Sequence, residues 1–240
     1  MLFGGIKLVM ETKYLLAGDK AIVVEFGDII DEDINRKVIN LMNNIESSSL
    51  INSIYEMIPT YRSLMIIYNP LKITFNDLIN SVKNIEYNLR ILDKREKNII
   101  KIPVLYGNDC GPDIDTVAKH NRLSIEDVIR LHSEAEYLVY MLGFTPGFTY
   151  LGGMNSKLET PRLDNPRVKI PEGSVGIAGK QTGVYPIESP GGWQLIGRTP
   201  IKLYNPKREN PILLKAGDYV KFTPITKDEF NTFLNEGGTN

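Results

Sequence analysis

Between Gly143 and Thr199 the chain concentrates 11 of its 20 glycines, six of its 14 prolines and its only tryptophan, Trp193. Glycine opens backbone conformations closed to other residues, and proline fixes φ. The same stretch carries Phe144, Phe148, Tyr150, Ile177, Tyr185, Trp193 and Ile196. Flexible linkers lack such side chains. The expectation is a set of tightly shaped loops and short strands built around a site.

Composition narrows the classes of function. Of 240 residues, 42% are hydrophobic and 24% charged, ordinary values for a globular protein with a sizeable core. The formal net charge of −1 gives no field toward nucleic acid or an anionic membrane. No run approaches the ~18 apolar residues of a membrane span. A single cysteine, Cys110, rules out an internal disulfide and suits a reducing compartment, so the expected location is the cytoplasm. The opening MLFGGIKLVMETKYLL is interrupted by Glu11 and Lys13 and has no small-residue cleavage site. Met10 reads as an alternative start, with residues 1–9 an extension of little structural role.

Periodicity divides the chain in two. YLLA and AIVVEF, separated by Gly18-Asp19-Lys20, read as a hairpin. Asp31 opens a helix with Ile34, Val38, Leu41, Met42 and Ile45 at helical spacing. Two more strands, SIYEMI and RSLMIIY, precede a helix capped by Thr74 and Asp77. This ββαββα pattern predicts a small α+β domain over 1–92. The polar run DKREKN at 93–98 predicts a linker. From 99 to 240 a strand and two short helices lead into YLVYML, SVGIAG, GVYPI, WQLIG, IKLYN and YVKFTPI, which suggest a closed or nearly closed β-barrel domain. A helix capped by Thr226 and Glu229 ends the pattern.

Six features bear on chemistry. The helix pair at 113–132 has the spacing of a helix–turn–helix, but Glu126 and Asp127 open its second helix and would repel phosphate, so it reads as packing. His132 shares a face with Val128, Ile129 and Ala135; it reads first as a satisfied, partly buried histidine and second as a candidate general acid or base. Its only companion, His120, gives no metal-ligand spacing, so no metal is expected. The window contains no histidine to complete a serine triad. Its glycine runs Gly147–Gly153 and Gly176–Gly183 could present amides to an anion. Candidate substrate or anion contacts are Arg162, Arg167, Gln181, Thr182, Arg198 and Thr199, because arginine forks grip carboxylate or phosphate bidentately. Lys169 and Lys180 read equally well as surface charges. Phe144, Phe148, Tyr150, Tyr185 and Trp193 are candidate pocket walls or partner contacts, against core packing.

In order, GFTPGFTYLGG, PRLDNPRVKIPEGSVGIAGKQTGVYP and SPGGWQLIGRTP resemble the family of the 5-oxoprolinase B subunit, also called the allophanate hydrolase subunit 1 or KipI family. AGDKAIVVEFG, IPTYRSL, IPVLYGNDCGPDIDTVAKHNRLS and LHSEAEYLVYMLGF extend the likeness over about residues 14–225; Lys180 is a small departure. The resemblance implies a cyclophilin-like β-barrel after the α+β domain. It also implies a role in ATP-dependent opening of 5-oxoproline to L-glutamate, with the chain inactive alone. ATP would be a co-substrate of the complex, with magnesium, and nothing would be tightly bound to this chain. The implied partners are the two other 5-oxoprolinase subunits, one KipA-like (the C component) and one LamB/YcsF-like (the A component). The alternative is a regulatory inhibitor that binds a sporulation histidine kinase. The catalytic residues are not carried over by the likeness.

Overall fold

A computed structural model of the chain describes residues 11–89 and 97–236. The expected extension at 1–9, and residues 93–96 of the expected linker, lie outside the described residues. The described residues fall into two compact units, one on each side of that gap.

The first unit runs β1 (Lys13–Leu16), β2 (Ala21–Glu25), α1 (Glu32–Glu46), a 3-10 turn (Ser49–Ser53), β3 (Ile54–Pro59), β4 (Ser63–Tyr68) and α2 (Phe75–Leu89). Its four strands form one antiparallel sheet in the order β1-β2-β4-β3. The Asp31 side chain accepts the amides of Asp33 and Ile34 and so fixes the start of α1. Thr74 does the same for the amide of Asp77 at α2. Val38, Leu41 and Ile45 of α1 join Leu78 and Val82 of α2 over Ile22, Val24, Leu64 and Ile66 of the sheet. The helical and strand periods read from the sequence therefore converge on one core.

The second unit starts with β5 (Ile99–Tyr106), α3 (Ile114–Asn121) and α4 (Ile125–Glu134). It continues with β6 (Tyr137–Leu142), β7 (Thr149–Gly152), β8 (Arg167–Ile170), β9 (Ser174–Ala178), β10 (Gln181–Val184), β11 (Ser189–Gly191) and β12 (Gln194–Arg198). It ends with β13 (Tyr219–Pro224) and α5 (Lys227–Asn235). Seven strands form one sheet, ordered β10-β9-β12-β5-β13-β6-β7. Its two outer strands, β7 and β10, lie against each other, which curls the sheet into a nearly closed barrel. Strands β5 and β13 pair in parallel, and β8 and β11 form a separate antiparallel ribbon. Ile102, Val104 and Tyr106 alternate into the interior from β5, where they meet Val139, Val175, Ile177, Ile196 and Phe222. Val117, Ala118 and Val128 place α3 and α4 on the same core. The helix pair is thus a packing element of the barrel.

The α+β class and the barrel-like sheet agree with the reading of the sequence. One expected strand, IKLYN at 201–205, does not form: Tyr204 makes an isolated bridge with Ile212, and Leu213 donates to the Leu203 carbonyl. Pro200 and Pro206 bracket this segment and lack the N–H that a ladder needs.

Candidate functional site

Trp193 organises the glycine-rich window. Gly176 of β9 and Gly183 of β10 face each other in register. A Cβ on Gly176 would lie 3.1 Å from the Trp193 Cβ, and one on Gly183 would lie 3.2 Å from its ring. These two glycines, expected as amide donors to an anion, instead clear a slot for the indole. Trp193 meets Phe148 edge-on at 5.7 Å and Tyr185 at 5.9 Å. Phe148, Tyr185 and Trp193 join Ile170, Ala178 and Leu195 in a small second core. Buried in that core, these three aromatics are packing residues, not pocket walls. Tyr150 is half-buried against it and Phe144 stands outside it, 5.5 Å from the Phe148 ring.

Phe144 is held unusually. The Thr145 amide donates to the Gly143 carbonyl at 2.8 Å, closing a γ-turn around Phe144 at φ +67°. A turn of that hand is rare and strained for a bulky side chain. The ring is nonetheless 67% exposed.

His132 lies in the barrel interior with no exposed surface. Its Nδ1 lies 2.7 Å from the Tyr106 hydroxyl and its Nε2 2.7 Å from the Thr182 hydroxyl. Thr182 donates its own proton to the Gly176 carbonyl at 3.0 Å. Thr182 therefore accepts from Nε2–H, and the Tyr106 hydroxyl donates to Nδ1. Phe222 stacks on the imidazole at 4.6 Å. Burial lowers the His132 pKa from 6.5 to about 3 and pushes the Tyr106 and Tyr137 hydroxyls up. A neutral imidazole with both nitrogens engaged is a structural group. The general acid or base reading of His132, and the anion-binding reading of Thr182, give way for the same reason.

The cations separate into two places. Arg167 Nη2 pairs with Asp113 Oδ1 at 2.7 Å, and its Nη1 donates to the Trp193 carbonyl at 3.4 Å. The second Asp113 oxygen accepts the Leu195 amide at 2.7 Å. Arg198 lies at the far end of β12, three residues beyond Leu195 and about 10 Å along the strand. Its Nε donates to the Glu172 carbonyl at 2.8 Å. Burial pushes the nearby Cys110 thiol up, and the Arg198 charge opposes that shift. Thr199 is buried and accepts the Ile201 amide at 3.2 Å, a turn contact. Gln181 is half-buried at the head of β10. Lys169 pairs with Glu188 at 2.9 Å on the surface.

Arg162 differs from the other two arginines of the window. Its side chain is exposed and forms no hydrogen bond or ion pair with any described residue. Its backbone is pinned on both sides. The Leu163 amide donates to the Gly192 carbonyl at 2.7 Å, and Gln194 Nε2 donates to the Pro161 carbonyl at 3.0 Å. Burial pushes the Tyr185 hydroxyl up to about 12, and the Arg162 charge is the first influence opposing it. Arg162, Arg167, Tyr185 and Trp193 are therefore brought together, whereas Arg198 and Thr199 are not part of that group. Tyr106 and Asp113 were missed. The two-residue period of β5 points Tyr106 inward. Asp113 reads locally as the residue before a helix and carries no sign of a partner 54 positions away.

Known proteins align over this whole arrangement. The family model for the carboxyltransferase domain, subdomain C and D, matches residues 12–214. The 5-oxoprolinase B subunit of Bacillus subtilis (strain 168) is 45% identical over 229 residues, covering 91% of this chain and 95% of that protein. Urea amidolyase of Lachancea kluyveri is 29% identical over 258 residues, covering 93% of this chain and 14% of that protein. The crystal structure of TTHA0988 superposes with a TM-score of 0.75 at 34% identity, over 86% of this chain and 40% of that one.

Proposed function

Because the chain belongs to the carboxyltransferase domain, subdomain C and D, family, the family of the 5-oxoprolinase B subunit, we propose that it is one subunit of an ATP-dependent complex that opens 5-oxoproline to L-glutamate. The observation that carries this reading is the near end-to-end identity of 45% with the Bacillus subtilis protein. Two further subunits, one KipA-like and one LamB/YcsF-like, would complete the complex. ATP, with magnesium, supplies the phosphoryl group that turns the lactam oxygen into a leaving group, since an amide carbonyl is a poor electrophile. Water then adds to the activated carbon, the ring C–N bond breaks to leave the free amine and an acyl phosphate, and a second water releases phosphate and the new carboxylate.

The site geometry suits a subunit that holds substrate. Arg162 offers an exposed guanidinium with no hydrogen-bond or ion-pair partner among the described residues, a setting for carboxylate or phosphate oxygens. His132 is locked in the core and does not reach a bound substrate. Mixing the three purified subunits with 5-oxoproline and ATP tests the reading. Glutamate release that depends on all three supports it. No release from a well-folded mixture leaves the alternative, inhibition of a histidine kinase, which is then read as loss of kinase autophosphorylation.

A further inference from the structure

We propose that Arg162 is the anchor for the carboxylate of the substrate. This deepens the subunit reading given above and rests on it for the identity of the substrate.

Elimination among the window's arginines comes first. Arg167 is committed to Asp113 and to the Trp193 carbonyl. Arg198 gives its Nε to the Glu172 carbonyl and stands at the other end of β12. Arg162 alone of the three keeps its whole guanidinium free of described partners.

Its placement is built rather than incidental. An exposed arginine on an unrestrained loop loses side-chain and backbone freedom when it binds, which weakens the contact. Here Pro161 and Leu163 are both hydrogen-bonded to the Gly192–Gln194 segment, so the backbone beneath Arg162 is fixed before any ligand arrives. That segment carries Trp193, which is itself seated in the Gly176–Gly183 slot. The backbone that carries Arg162 is thus tied through two hydrogen bonds to the segment that carries Trp193. Arg162 also acts electrostatically on Tyr185, and no carboxylate of a described residue neutralises it.

The ligand chemistry follows. A planar guanidinium takes a carboxylate with two parallel N–H···O bonds, a geometry that a lysine ammonium does not reproduce. 5-Oxoproline carries one carboxylate on a five-membered ring whose CH2–CH2 edge is apolar. The Arg162 guanidinium matches the carboxylate, and the neutral lactam lacking that group would lose the main contact.

The test uses the full chain and two probes, 5-oxoproline and 2-pyrrolidinone, followed by NMR at the Trp193 indole and the arginine side chains. Saturable shifts with 5-oxoproline, at least tenfold weaker with 2-pyrrolidinone and with Arg162→Ala, and partly recovered in Arg162→Lys, support the proposal. Equal binding by wild type and Arg162→Ala, or no saturable binding of 5-oxoproline to the chain, overturns it. In the three-subunit mixture the expected split is a KM for 5-oxoproline raised at least tenfold with kcat changed less than threefold. An unchanged KM overturns the anchor while leaving the subunit reading intact. Absence of glutamate release from the wild-type mixture removes the subunit reading, and the NMR titration then decides the anchor alone.

Discussion

Arg167 Nη2 sits 2.7 Å from Asp113 Oδ1, across 54 residues of chain. The pair ties the β8–β11 ribbon to β12 and to the start of α3, because the other Asp113 oxygen holds the Leu195 amide. The side chains are only 30% and 11% exposed, so the pair is shielded from screening more than a surface bridge is. Removing one partner leaves the other charge uncompensated and half-buried. Arg167→Ala should therefore cost about 2 kcal/mol in urea unfolding. Asp113→Asn, which can still accept the Leu195 amide, should cost less. An Arg167→Ala variant as stable as wild type would show that the ion pair adds nothing to stability.

His132 predicts a pH dependence of stability. In the unfolded chain its pKa is the ordinary 6.5, and in the folded protein burial holds it near 3. Between those values the unfolded state binds the proton and the folded state does not. Stability is therefore full above about 6.5 and falls as pH drops through the window, by up to about 1.4 kcal/mol per unit. From pH 7 to pH 5 wild type should lose about 2 kcal/mol more than His132→Gln, which has no proton to gain. Parallel stability profiles for the two proteins would remove His132 as the source.

How far the sequence revealed this depends on the range of each interaction. Asp31, Thr74 and Thr226 act within four residues, and each was legible as a helix start. The ββαββα order and the barrel strands followed from periodicities of similar reach. The site was less legible because its residues are sorted by distant partners. Arg162, Arg167 and Arg198 look alike as neighbours of glycine and proline. Asp113, Glu172 and the Gly192–Gln194 segment decide which of them is left free. Similarly, Gly176 and Gly183 resemble an anion-binding loop until Trp193, ten residues beyond Gly183 in sequence, is found lying over them.

The Trp193 slot offers a direct optical test. Gly176→Val would place a branched side chain where even a Cβ stands 3.1 Å from Trp193 and 3.2 Å from the Gln194 carbonyl. Overpacking of this kind costs about 1–3 kcal/mol. Since Trp193 is the only tryptophan, its fluorescence reports the slot alone. The variant should be destabilised by that amount, with Trp193 emission shifted to the red as the indole is pushed toward water. An unshifted spectrum with wild-type stability would mean that the slot accommodates a side chain.

Phe144 separates stability from function. At φ +67° its γ-turn strains any residue that bears a Cβ, and the exposed ring recovers little by burial. Phe144→Gly relieves the strain, so despite glycine's greater unfolded-state entropy the variant should be as stable as wild type or more so, by up to about 1 kcal/mol. Phe144→Ala keeps the strain and loses the edge contact with Phe148, so it should be the less stable of the two. If the exposed ring contacts substrate or a neighbouring protein of the complex, both variants lose activity in the assembled complex by a similar factor although their stabilities move in opposite directions. Activity that simply tracks stability would instead make Phe144 a turn residue without a contact of its own.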